Sequence, residues 1–384
     1  METATPAAAT RGAHSQALDL LRFPLAVIVV LIHVFPIPGY GEFKIGSHIF
    51  QSGDYPAFYG LLNFIDSFLR GQSVPVYFFI SGYVFFYGVE LTKEKYLQKL
   101  KNRVKTLLIP YFVWNTLALL VLMAMNMLPL SFLAPYADQF NPSLHGFLSA
   151  YWGYDGSLFV TGKVPDGAVA GPINGLLWFI RDLMIVVLFT PVIYKLIKKY
   201  GKYPLIALGA VWFASEFNDM LNYKGFATAF FFFSWGAYMS ICKKDMIAEF
   251  GKYFKLSVVM FFVLGVLGMI VLQVCPEAAS GVKKLNIIVG LSFAYNLAAR
   301  IIGGGRFRAN EFLIASSFFV YVSHMIICGR IRDLLYNTFK PGTDAGMIVL
   351  HLGALAMTMT IILTAFWTLR RFMPGLLRIM TGRR

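Results

Sequence analysis

Charge is scarce in this chain. Only 14% of its 384 residues are charged, against 58% hydrophobic. That is too apolar for an ordinary soluble domain and leaves little sequence over for a separate one. Acidic side chains are scarcer still, 19 against 34 basic ones, for a net charge of +15. The imbalance invites a nucleic-acid reading, but the basic residues stand in short clusters between apolar runs. That is a membrane-topology pattern, and no nucleic-acid partner is expected. Cysteine is nearly absent: Cys242, Cys275 and Cys328 are an odd number without metal-like spacing. Neither a disulfide framework nor a zinc site follows, and no metal is expected. The first apolar run ends Phe35-Pro36-Ile37-Pro38 with no small-residue cleavage site, so it does not read as a cleavable signal.

What the chain does have is a series of apolar runs near the ~20 residues that a membrane span needs. Ten are expected to cross, near 18–37, 73–89, 104–127, 174–195, 203–218, 226–242, 254–275, 284–302, 310–331 and 345–369. Segments 56–70 and 141–151 are too broken to span and read as shorter amphipathic or re-entrant helices. With the N-terminus placed inside, 24 of the 34 basic residues fall on the cytoplasmic side and 9 outside, with Arg181 inside a span. The bias supports an all-α, polytopic bundle of about ten helices with both termini cytoplasmic. Residues 1–17 are expected to be a disordered cytoplasmic tail, 18–372 the membrane domain, and 373–384 a basic cytoplasmic tail. The largest outer segment, 128–173, carries Lys163 as its one cation and is a candidate cover for an outward-facing cavity.

Ionisable residues inside spans are functional candidates by default. Arg22 and His33 lie eleven residues apart on the first span, hence on one helix face and separated by ~16 Å of rise. Imidazole exchanges protons near neutrality, which suits His33 to general acid–base work. Arg22, at the other end, is either a snorkelling topology residue or an anchor for phosphate. Ser81-Gly82 offers a small polar spot in a bulky helix, read first as close helix packing. Lys99 and Arg103 belong to a basic collar, followed by Pro110 and the intramembrane amide of Asn115. Adjacent Arg181 and Asp182 point ~100° apart on a helix, so partners on other helices or a polar cavity are expected for them. Ser316, Ser317, Tyr321, Ser323 and His324 could complete a polar cavity. Arg300 with Gly303, Gly304, Gly305, Arg306 and Arg308 forms a glycine–arginine loop that could cradle phosphate.

The order of these motifs resembles the acyltransferase-three family of integral membrane acyltransferases. The resemblance is carried by Leu18-Asp19-Leu20-Leu21-Arg22 through His33, and by Val74-Pro75-Val76-Tyr77-Phe78-Phe79-Ile80-Ser81-Gly82-Tyr83. It continues in Arg103 with Leu108-Ile109-Pro110-Tyr111, Leu177-Trp178-Phe179 with Arg181-Asp182, and Ser317 through His324. Leu176 stands where many members carry a histidine. The resemblance implies an enzyme of the inner bacterial membrane that moves an acyl group, usually acetyl from acetyl-CoA, onto a hydroxyl of a cell-surface glycan or lipid-linked sugar. It maps the essential histidine to His33 and its paired arginine to Arg22. On this reading Ser81, Asp182 and His324 assist His33, and CoA docks on Arg22, Lys99, Arg103 and Arg300. The acceptor meets Trp178, Arg181, Asn115 and Tyr77, within a tunnel running from Arg22 to His33. A transporter or binding module using Arg22, His33 and Asp182 as a proton or substrate path is the alternative.

Overall fold

The computed structural model describes residues 6–127, 140–158, 160, 162, 171–215, 224–304 and 310–382. Lys163 and much of segment 128–173 lie outside the described residues, as do Gly305, Arg306 and Arg308.

The first apolar run lies on α1 (Pro6–Val34). A two-stranded antiparallel hairpin follows, β1 (Glu42–Ile45) and β2 (His48–Gln51). Gly46, at φ +57°, supplies the left-handed residue its two-residue turn requires. The hairpin was not expected, although Phe43 and Ile45 alternate with polar residues and both are buried.

Next come α2 (Pro56–Phe68), α3 (Ser73–Phe86) and α4 (Lys93–Arg103). α4 runs through a π-helical turn, Val104–Leu108, into α5 (Ile109–Met127). Pro110 has no N–H to offer the Thr106 carbonyl, and the wider turn is a known way to absorb such a defect. The short α6 (Leu144–Trp152) precedes a 3-10 turn, Gly175–Leu177. The fourth apolar run then breaks into α7 (Trp178–Leu188) and α8 (Thr190–Tyr200), bent by 61°, with Pro191 opening the second half. The remainder is α9 (Tyr203–Ala214), α10 (Lys224–Ile241), α11 (Met246–Gly251), α12 (Phe254–Val274), α13 (Pro276–Gly303), α14 (Glu311–Phe339), α15 (Asp344–Phe372) and α16 (Pro374–Thr381).

This is an all-α polytopic membrane bundle. Among the described residues, six helices are long and apolar enough to cross a membrane, or seven if the bent α7–α8 pair is one span. All ten expected segments form helices, but ten crossings are reached only if the shorter α3, α9 and α10 also cross. The two segments judged too broken to span, 56–70 and 141–151, contain α2 and α6.

Two packing features position the site. α3 crosses α10 at glycines on both sides: a Cβ on Gly82 would lie 2.0 Å from the Phe233 carbonyl oxygen, and one on Gly236 2.0 Å from that of Phe79. The small residue beside Ser81 therefore serves close backbone approach. The second feature is the chain break between α2 and α3. Phe68 packs on Gly265 and Ser67 on Gly268, near the middle of α12, while Gly71 and Gln72 lie against Ile287 and Gly290 of α13. Residues 69–72 thus turn deep inside the bundle, with Gly71 at φ +92°.

Candidate active site

α1 runs through the core beside α3, α13, α14 and α15. Ser73 Oγ donates to the Leu25 carbonyl (3.1 Å), and Tyr77 Oη to that of Arg22 (2.7 Å). These bonds fix α3 antiparallel to α1 and set its first turn between the levels of Leu25 and Arg22. Arg22 therefore lies opposite the first turns of α3, ~13 Å before that helix ends at Phe86.

His33 stands two to three turns further along α1. Its Nδ1 is 2.7 Å from the Val29 carbonyl. A carbonyl oxygen only accepts, so Nδ1 carries the hydrogen and Nε2 keeps its lone pair in the neutral ring. The same argument holds for His324, fully buried on α14, whose Nδ1 is 3.1 Å from the Val320 carbonyl. The two rings lie 5.2 Å apart, centroid to centroid, and inclined by 56°. His324 Nε2 is buried with no hydrogen-bond partner. Two imidazoles with fixed tautomers and available Nε2 atoms thus meet at one place.

His33 opens on a cavity of about 380 Å³. Ser73, Val74 and Pro75 from the first turn of α3 line it, with Gly71 from the break, Leu176 and Trp178, Trp212, Thr228, Lys283, Lys284 and Tyr321. Trp212 Nε1 donates to Thr228 Oγ1 (3.1 Å), and Tyr321 Oη to the Leu176 carbonyl (2.7 Å), so the walls are braced. The positive end of the α3 dipole faces the space.

The expected site residues separate into three groups. His33, His324 and Trp178 come together, with Tyr77 bordering them through Tyr321 (ring centroids 6.1 Å). A second group braces the helices. Asn115 donates to the Tyr111 carbonyl (3.0 Å) and accepts from the Asn174 amide (3.2 Å), while Asn174 Nδ2 donates to the Val322 carbonyl (3.0 Å). Arg181 and Asp182 pair with each other, Nε to Oδ1 at 3.0 Å, which corrects the expectation of separate partners. The long guanidinium arm spans the angle between adjacent positions, and both groups are almost fully buried. Arg181 also donates to the Trp152 carbonyl of α6. Asp182, Asn115 and Ser81 do not line the cavity.

The third group is the cations. Arg22, half-exposed, pairs with Asp19 at 2.9 Å. Lys99 and Arg103 both lie over Phe85, in the last turn of α3 (4.9 and 5.8 Å), and Arg300 covers Phe254 (4.1 Å). The open tunnel expected between Arg22 and His33 is closed at Leu25 and Ala26, which share that face and are buried in the core.

Sequence reasoning passed over Asp66, Arg70, Lys283 and Lys284, counting the cations only as topology signals. Asp66 pairs with Arg70 (2.8 Å) and with Lys283 (2.9 Å). The four-residue spacing of Asp66 and Arg70 on a segment too short to span was the available clue.

A family model described as an acyltransferase domain matches residues 15–369. The chain belongs to this acyltransferase family. Cavity, histidine pair and cations all fall within the matched region. This acyltransferase-family chain is also similar to the succinoglycan biosynthesis protein ExoH of Rhizobium meliloti (strain 1021), 28% identical over 232 residues. The similarity covers 59% of this chain and 54% of the relative, so the match spans about half the relative's length. No solved structure matches.

Proposed function

We propose that the protein is an inner-membrane O-acyltransferase of bacteria. On this reading it transfers an acetyl group from cytoplasmic acetyl-CoA to a hydroxyl of a cell-surface glycan or a lipid-linked glycan precursor, with succinyl-CoA as the alternative donor. The observation that carries the reading is His33, its tautomer set by Val29, lining a cavity beside a second imidazole. The family and the relative named for succinoglycan biosynthesis support the reaction class and a polysaccharide acceptor.

On this reading the Arg22 end of the bundle faces the cytoplasm, which the excess of basic residues there supports. CoA phosphates dock among Lys99, Arg103, Arg300 and Arg22. The pantetheine arm climbs along α1 and displaces the packing at Leu25 and Ala26 to reach His33. The acceptor enters the cavity from the opposite side and stacks on Trp178. His33 Nε2 takes the hydroxyl proton as the oxygen attacks the thioester carbonyl. The C–S bond then breaks, and the leaving thiolate receives a proton from the imidazolium. His324 steadies the charged ring, and the amides of the first turn of α3 face the oxygen that gains charge.

The test is the envelope glycan of cells with and without the gene. A mass difference of about 42 (acetyl) or about 100 (succinyl) per site is expected, lost in His33→Ala protein that inserts normally. An unchanged glycan, or full acylation by His33→Ala, refutes the reading.

A further inference from the structure

We propose that the His33 cavity contains an anion-recognition subsite, formed by Lys283 and Arg70 around Asp66, which holds a carboxylate or phosphate carried by one of the reactants. This deepens the acyltransferase reading and rests on it.

The argument is one of charge. Asp66 Oδ1 lies 2.8 Å from Arg70 Nε as an ion pair, and its Oδ2 accepts from Lys283 Nζ (2.9 Å). The three side chains are 14%, 16% and 27% exposed. Two cations share one carboxylate, and among the described residues no second carboxylate pairs with either. One positive charge is therefore left over deep in the bundle, where an uncompensated charge is costly. Arg70 Nε and Nη2 are both buried with no hydrogen-bond partner. Lys283 lines the cavity, as does Gly71 next to Arg70. Lys284 is otherwise engaged, donating to the Trp212 carbonyl and to Ser215 Oγ (3.2 Å).

An ion triad serving only to brace helices would balance its charges. This one presents its surplus to the space in which a reactant sits, so the missing counter-charge is supplied by the reactant. Two sources share the chemistry. One is the acyl group, if it ends in its own carboxylate. The other is the acceptor, if it carries an acidic sugar or a phosphate.

The experiment uses the full-length protein in lipid nanodiscs. It is titrated with succinate, glucuronate and inorganic phosphate, and with the uncharged succinamide and glucose. The readout is tryptophan fluorescence, since Trp178 and Trp212 line the cavity. A saturable response to at least one anion and none to the neutral compounds is expected. Lys283→Gln should weaken it ~10-fold or more, the loss of a charge-assisted hydrogen bond, and Lys283→Arg should restore it.

Thiol release from acetyl-CoA and succinyl-CoA, in membranes containing the acceptor, then separates the sources. A ~10-fold drop in the succinyl-to-acetyl preference of Lys283→Gln places the anion on the acyl group. An equal rise in acceptor KM with either donor places it on the acceptor. Equal responses of the wild-type protein to charged and neutral compounds overturn the subsite, and that comparison needs no variant to fold. An anion affinity unchanged by Lys283→Gln overturns it as well. If no acyl-CoA releases thiol while the anion titration succeeds, the acyltransferase reading fails and the subsite stands.

Discussion

His324 offers a test in which stability and activity should move apart. The perturbation is His324→Leu, an apolar side chain of similar bulk at a fully buried position. Two terms set its effect on stability. Relieving the buried, unpartnered Nε2 returns ~1–3 kcal/mol. Losing the Nδ1 bond to Val320 costs ~0.5–1.5 kcal/mol, the lower part of that range applying because the same carbonyl already serves the helix ladder. The variant should therefore lie between equal to the wild type and ~2.5 kcal/mol more stable than it. Its activity should fall by ~10-fold or more, because the ring 5.2 Å from His33 no longer supports the imidazolium.

A double-mutant cycle completes the test. His33→Ala should cost ~10²–10⁴-fold, the range for removing a general base. If the two histidines act as a unit, His33→Ala/His324→Leu should be no slower than His33→Ala alone. The assay is thiol release from acyl-CoA by membranes that contain the acceptor, alongside thermal unfolding of the purified protein. Multiplicative losses would show that the rings act independently. A stability loss above ~2 kcal/mol would show that His324 is a packed structural residue and refute the reasoning.

Gly82→Ala should lower the unfolding temperature sharply. Its Cβ would sit 2.0 Å from the Phe233 carbonyl, so the backbones must separate, at a cost above the ~1–3 kcal/mol of ordinary overpacking; an unchanged Tm would contradict the crossing. Asp182→Ala should cost ~3–5 kcal/mol by leaving Arg181 buried without its carboxylate, and Arg181→Leu/Asp182→Leu should recover part of that loss, read as yield and thermal stability of the inserted protein. Asn115→Ala leaves the Asn174 amide without its side-chain acceptor and should cost ~1–3 kcal/mol, with less effect on acceptor KM than Trp178→Ala, since Asn115 braces helices whereas Trp178 lines the cavity.

Much of this arrangement is legible in the residues, and the boundary of what is legible has a physical cause. Apolar length locates helices, which is why all ten expected segments appear, and why 56–70 and 141–151 stand apart as short ones. Helical periodicity tells which residues share a face, so Arg22 and His33 are rightly aligned. It does not tell what fills that face. Leu25 and Ala26 occupy it, and the expected tunnel is closed there. Adjacency misled in the opposite direction: the ~100° between Arg181 and Asp182 separates their Cβ atoms, but a guanidinium on a long arm reaches back to its neighbour. His33 and His324 are each visible as intramembrane histidines, yet their meeting depends on how α1 packs on α14. The sign count treated Arg70 and Lys283 as loop cations, because nothing in a count reveals that the chain turns back inside the bundle.

That turn explains why a polar cavity exists at this depth. An unwound stretch of backbone at membrane depth survives only where protein covers it or where it borders a cavity, since lipid offers no hydrogen bonds. Residues 69–72 meet both conditions. The Leu69 and Arg70 amides return to the Ile65 carbonyl (3.0 Å each), and Gln72 Nε2 donates to the Asn286 carbonyl (3.3 Å). Gly71 and Ser73 face the cavity. Breaking the chain here gives α3 a start in mid-bundle, so the positive end of its dipole and the His33 ring converge on one space. An unbroken helix over 56–86 would have carried its dipole end to the membrane surface. The 14-residue length of α3 is therefore the condition for the site.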